Sequence, residues 1–130
     1  MTVKIEGMDA LMRKLKNVEQ MQRKLRPPMV KATSLLSDEM AHYPPKPAHS
    51  TYRRTTRLGS SWTTRIIQLA NGIRGEVGNI TPYAPWVQEW RRQRGFHKAT
   101  GWITDRTAIK KVTPRINAIF KRTIDRELAK

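Results

Sequence analysis

The stretch SSWTTRIIQLANGIRGEVGNI, Ser60 to Ile80, decides the fold. Trp62, Thr64 and Ile66 alternate with Thr63, Arg65 and Ile67; beyond Asn71-Gly72, Ile73, Gly75 and Val77 alternate with Arg74 and Glu76. A period of two sends successive side chains to opposite faces of a strand. Asn-Gly supplies the positive-φ positions of a tight hairpin turn. The stretch therefore reads as two antiparallel strands. Gly72, Gly75 and Gly78 suit that turn and those strands better than a phosphate cradle.

Upstream lies PPKPAHSTYRRTTRLG, Pro44 to Gly59, rich in proline and basic residues. It reads as an extended arm, Pro44 to Leu58, too long for an ordinary tight connection. Downstream lies TPYAPWVQEWRRQRGFHKATGW, Thr81 to Trp102, with five aromatic side chains among Arg91, Arg92, Arg94, His97 and Lys98. Tyr83, Trp86 and Val87 have the i, i+3, i+4 spacing of a helical turn that packs inward, and Trp90 extends that side; from spacing alone, a core or subunit contact and base stacking are equally open. Arg91 to Lys98 reads as a basic loop.

Helical patterns flank these parts. Before the arm, Leu11, Leu15, Val18, Met21 or Gln22, and Leu25 form one stripe. Val30, Leu35, Leu36 and Met40 form another, and Pro27-Pro28 between them predicts a stop and a restart. Residues 3–6 read as a short strand. From Asp105 the chain is helical again, with a break or kink expected at Thr113-Pro114 and a stripe of Ile116, Ile119, Phe120 and Ile124. The expected fold is α+β: a small antiparallel sheet packed with N-terminal helices and a C-terminal helix, with a long Pro-rich basic arm. Residues 1–130 suffice for one domain.

Charge narrows the function. Lys and Arg number 26 against 10 acids, a net +16. No acid occurs between Glu39 and Glu76, nor between Asp105 and Asp125. Such a chain attracts polyanions. It has no cysteine, which excludes disulfides and thiolate chemistry and fits an intracellular origin. No run of about 18 apolar residues exists, so no membrane span is expected. His42, His49 and His97 have no metal-ligand spacing, and no P-loop or GxSxG occurs. The acids lack the clustering that a metal-dependent nuclease needs. Asp38-Glu39 and Asp125-Glu127 sit on helical patterns as salt-bridge partners, and Glu89 stands alone among Trp86, Trp90 and Arg91. The expectation is a non-enzyme without cofactor.

Taken together, VKIEGMDALMRKLKNV, YRRTTRLGSSW, VGNITPYAPWVQ and a terminal basic helix resemble the tail-completion, or head–tail joining, family of long-tailed bacteriophages, also called minor tail protein Z. Tyr52, Arg54, Thr55, Leu58, Ser61 and Trp62 stand where that family has an arginine-threonine-glycine-x-leucine stretch leading to serine and an aromatic; Thr56 replaces the glycine. Tyr83, Ala84, Val87 and Gln88 stand at its tyrosine-alanine-x-x-valine motif. Val87-Gln88-Glu89-Trp90-Arg91 replaces the usual Val-Glu-x-Gly-Thr.

The resemblance implies a structural protein of the virion neck, assembled in the host cytoplasm into a homo-oligomeric ring, a hexamer to match the tail. Its partners would be the tail terminator or tail-tube proteins and the head-closure or connector proteins, with non-specific contact to genomic DNA in the channel. Expected subunit-interface residues are Tyr52, Arg54, Leu58, Trp62, Tyr83, Trp86, Val87 and Trp90. Arg53, Arg57, Arg91, Arg92, Arg94 and Lys98 are expected to face DNA or an acidic partner. The alternatives are a tail terminator or a stand-alone basic nucleic-acid-binding domain.

Overall fold

The hairpin forms as the alternation predicts. In the computed structural model, which describes residues 13, 15, 17–45, 48, 57–70 and 72–130, β1 (Trp62–Leu69) pairs antiparallel with β2 (Gly72–Asn79). The register sets Arg65 opposite Glu76 and Ile66 opposite Gly75. Ile73, Gly75 and Val77 share the face that packs inward, and all three are buried. On the other face the Arg65 guanidinium meets the Glu76 carboxylate at 2.7 Å. Its hydrogen bond holds the Glu76 carboxyl below the ordinary carboxylate value. Asn71 lies outside the described residues.

Helix α1 (Val18–Met40) covers the inward face. Asn17 caps it, its side chain accepting from Gln20 N at 2.7 Å, which satisfies one of the first-turn donors. Met21, Leu25, Met29, Ala32, Leu36 and Met40 recur every three or four residues and are buried together. The approach to the sheet is close. A Cβ placed on Gly75 would stand 2.4 Å from Thr33 Cγ2 and 2.7 Å from Met29 Sδ. The Thr33 hydroxyl donates back to Met29 O and Val30 O, so its methyl is the group beside the glycine. At the turn end, Gln22 Nε2 donates to Leu69 O at 2.6 Å and Gly72 O at 2.9 Å, tying both strands to α1.

Two expected breaks are absent. Pro27 and Pro28 lie inside α1, which runs through them as one helix, so Arg23, Lys24 and Arg26 sit mid-helix rather than at an end. Each interior proline costs about 3 kcal/mol. Full burial of each of Met21, Leu25, Met29 and Leu36 is worth about 2 kcal/mol, which outweighs that cost. Val30, expected on the buried stripe, is 47 % exposed; Met29 and Ala32 take the inward positions instead. The last helix is also continuous. Following α2 (Arg57–Ser60), α3 (Ala84–Gln88) and α4 (Gly95–Ala99), α5 runs from Asp105 to Leu128 with Pro114 inside it. Thr104 is its cap, accepting from Thr107 N. The Thr113 hydroxyl donates back to Ile109 O at 2.6 Å rather than capping a new start. Ala108, Val112, Ile116, Phe120 and Ile124 form one ladder across the proline, buried against α1, with Ile119 only half-buried.

The architecture is thus a small α+β fold in which α1 lies between the hairpin and α5. Glu39 on α1 meets Lys111 on α5 at 2.7 Å. Among the described residues no helix is long and apolar enough to cross a membrane. The expected strand at residues 3–6, Leu11, and most of the 44–58 arm, including Tyr52, Arg53 and Arg54, lie outside the described residues.

The closeness of α1 to β2 makes a direct prediction. Gly75→Ala should cost about 1–3 kcal/mol, the range for overpacking a filled core. Gly78, with open space where a Cβ would go, should tolerate alanine with a change within about 0.5 kcal/mol. Chemical denaturation of both variants checks this; equal effects would contradict the packing.

Candidate functional site

The aromatic-basic stretch is held by a short series of side-chain amides. Asn79 ends β2. Its Nδ2 donates to Leu58 O at 2.8 Å, and its Oδ1 accepts from Thr81 N and from the Thr81 hydroxyl. Helix α3 follows, with Pro85 in its first turn, where a missing N–H costs nothing. Its inward side is Ala84, Val87 and Gln88, all buried. This corrects the sequence reading: Tyr83 and Trp86 do not pack inward with Val87 but stand 37 % and 52 % exposed. Tyr83 is the N-cap and the helix is only five residues long, so helical spacing does not hold the three on one face.

Gln88 explains which side turns inward. It is fully enclosed, and its Nε2 donates to Met40 O at 2.7 Å and, more weakly, to Ile103 O at 3.4 Å. Met40 ends α1, where carbonyls have no helical donor of their own. One amide therefore joins α3 to the end of α1 and to the approach to α5. Gln93 repeats the device: its Nε2 donates to Val87 O at 2.7 Å and Trp102 O at 2.8 Å. The Arg91–Lys98 segment, expected to be a loop, contains the short α4, with Gly95 (φ 58°) and Gly101 (φ 75°) making its entry and exit.

Beneath this lies a second small core of Leu58, Ala84, Val87 and Trp102, with Tyr43 against it. Tyr43 stacks on Trp102 at 4.8 Å between ring centroids, and its hydroxyl accepts from Trp62 Nε1 at 2.8 Å. Burial pushes the Tyr43 hydroxyl above the ordinary tyrosine value. Leu58 and Val87, expected at a subunit interface, are interior anchors of the chain itself; Trp62 is half-buried with its indole N–H engaged. Tyr43 and Gln93 were not singled out from sequence. The only cue to Tyr43 was an aromatic placed between the end of a helix and Pro44-Pro45.

What remains outside is a tryptophan–arginine surface. Trp86 and Trp90 are half-exposed. Arg92 and Arg94 each lie 5.9 Å from the Trp86 ring centroid. Arg91 lies 5.1 Å and Arg106 4.5 Å from that of Trp90. Guanidinium over an indole face is a favourable cation–π arrangement. Asp105 Oδ1 accepts from Trp90 N at 3.1 Å and Arg106 N at 2.8 Å, locking the second tryptophan to the start of α5. Arg106 is a member that sequence reasoning missed. Arg91, Arg92, Arg94, Lys98 and Arg57 are all exposed. Beside them a cavity of about 200 Å³ opens, lined in part by Trp62, Asn79, Pro85, Gln88, Glu89 and Asp105. The surface thus joins aromatic anchors, a fan of fixed hydrogen-bond donors and an acid-edged hollow, the ingredients of a docking site.

Gln88→Glu tests the support. It removes the donor to Met40 O and puts a charge into a buried site, so stability at pH 7 should fall by about 1–3 kcal/mol or more. Burial raises the folded-state pKa of such a carboxyl. The charge part of the deficit should therefore be absent below the unfolded value of about 4.3, grow as pH rises above it, and be full only above the raised folded-state value. Denaturation of variant and wild type at pH 4 and pH 7 measures this; a pH-independent deficit would contradict a buried amide donor. Comparison of the chain with family models, curated proteins and solved structures returns no match.

Proposed function

We propose that the chain is a non-catalytic structural subunit of the neck of a long-tailed phage virion, completing the tail and joining it to the head connector. In this reading copies form a ring, sixfold to match the tail, around the DNA channel. The partners are further copies, tail-terminator or tail-tube proteins, and head-closure or connector proteins. Assembly takes place in the host cytoplasm, and the product resides in the virion.

The resemblance of the motifs supplies the identity of the assembly. The observation that carries a docking role is the pair of half-exposed tryptophans on a backbone fastened by Gln88, Gln93 and Asp105. Rigid aromatic anchors flanked by arginine are the residues that dominate binding energy at interfaces. The hollow is edged by Asp105 and by Glu89, whose carboxylate meets Arg92 at 3.7 Å, and an arginine of a neighbouring copy would share these acids, which supports self-association of a strongly basic chain. Arg91, Arg92, Arg94 and Lys98 then face channel DNA or an acidic partner, with phosphate attraction and no base readout.

A stand-alone nucleic-acid-binding domain is the second reading. The same tryptophan–arginine stacking favours it, because exposed aromatic rings stack unpaired bases. The two readings separate on the Trp86→Ala/Trp90→Ala double variant. The neck reading expects a folded chain with wild-type melting that no longer enters tails or connector complexes. Affinity for those partners should fall by about 2 kcal/mol or more, some thirtyfold. Arg91→Glu/Arg92→Glu/Arg94→Glu should likewise block assembly. Normal incorporation of both variants would sink the proposed surface.

A further inference from the structure

A second concentration of positive charge lies away from the tryptophan–arginine surface, in a groove between α1 and α5. It encloses about 420 Å³. Arg23, Lys24 and Lys31 line it from α1; Arg122 and Arg126 line it from α5. Its floor includes Pro27, Pro28 and Ile119. Among the described residues one acid, Glu127, lines it, and its carboxylate is taken by Lys130 at 3.0 Å and Lys24 at 3.7 Å. No carboxylate of the described residues pairs with Arg23, Lys31, Arg122 or Arg126. Five cations and one acid leave four net positive charges. In sequence these residues are scattered over a hundred positions; only the packing of α1 on α5 gathers them.

We infer that this groove binds the phosphodiester backbone of a nucleic acid. The spacing of charge favours phosphate over an acidic polypeptide. From Arg23 to Lys31 the helix rises about 12 Å at about 1.5 Å per residue. Along its axis a duplex carries a charge about every 1.7 Å, so that length of duplex brings about seven phosphates, of which those of the nearer strand face the groove. An extended acidic peptide puts a side chain on one face only about every 6.8 Å, about two carboxylates over the same length. Both walls are helices and neither is a sheet edge, so an added strand finds no ladder to join. Among the described residues no aromatic ring lines the groove. Contact is therefore to backbone phosphates, independent of base sequence.

The groove is distinct from the surface assigned to docking. Arg106 and Arg122 are separated by about 24 Å along α5, at about 1.5 Å per residue. Its occupancy stands whether or not the neck reading holds.

The test is the affinity of the whole chain for a short duplex DNA, by fluorescence anisotropy across a salt series. Arg122→Ala/Arg126→Ala removes two groove cations. Lys110→Ala/Arg115→Ala removes two exposed cations from the same helix outside the groove. The groove pair should weaken binding about tenfold and flatten the log–log salt dependence by about 2, near 0.9 per lost phosphate contact. The control pair should weaken it less than about threefold by the same counterion argument. Glu127→Gln keeps an acceptor for Lys130 but removes the negative charge that the described residues give the groove, so it should bind more tightly than wild type. That gain separates a site from a folding defect. Equal losses in the two alanine pairs would overturn the inference. So would displacement of the duplex by poly-glutamate at equal charge concentration, which would give the groove to an acidic protein instead.

Discussion

The distance between α1 and β2 governs the rest of the molecule. At Gly75 there is no room for even a methyl group, because Met29 and Thr33 occupy the space it would need. A helix that lies so close buries Ile73 and Val77 on one flank and meets the α5 ladder on the other. The same placement sets where α1 ends. Met40 O then becomes the acceptor for Gln88, and through Gln88 the position of α3 is decided. The tryptophan–arginine surface is thus held at the far end of a chain of contacts that begins at a glycine.

Charge is divided by the fold into struts and surfaces. Several acids are spent internally: Glu39 joins α1 to α5, Glu76 joins the two strands, and Glu127 holds Lys24 and Lys130. Positive charge left over collects in two places, around Trp86 and Trp90 and in the α1–α5 groove. Isolated surface ion pairs add little stability. Their larger effect here is to remove counter-charges that would otherwise quiet the basic surfaces. A chain of this net charge resists self-association unless a partner or a polyanion neutralises it.

Much of the fold was legible because local and global signals agree. The alternation from Trp62 to Val77 marked the hairpin, and apolar periodicity marked the helical segments. The expected breaks failed at Pro27-Pro28 and Pro114, where burial on both sides of the proline outweighs a local preference to stop. Gly75 was legible as a strand glycine, but its reason lies on another element, in Met29 and Thr33. At the site, the mixture of tryptophan and arginine was evident. Which rings face out was not, because that depends on Gln88 reaching a carbonyl 48 residues away. The basic groove was invisible for the same kind of reason, since α1 and α5 contribute to it from opposite ends of the chain.

The central claim is that the exposed surface serves assembly with partner proteins. Sedimentation of the purified chain, alone and with tail-tube and head-connector proteins, at low and high salt, tests it most directly. The account predicts a monomer alone that enters a ring-sized complex when those proteins are added. A monomer that ignores them at both salt concentrations, while binding duplex DNA with a steep salt dependence, would contradict it.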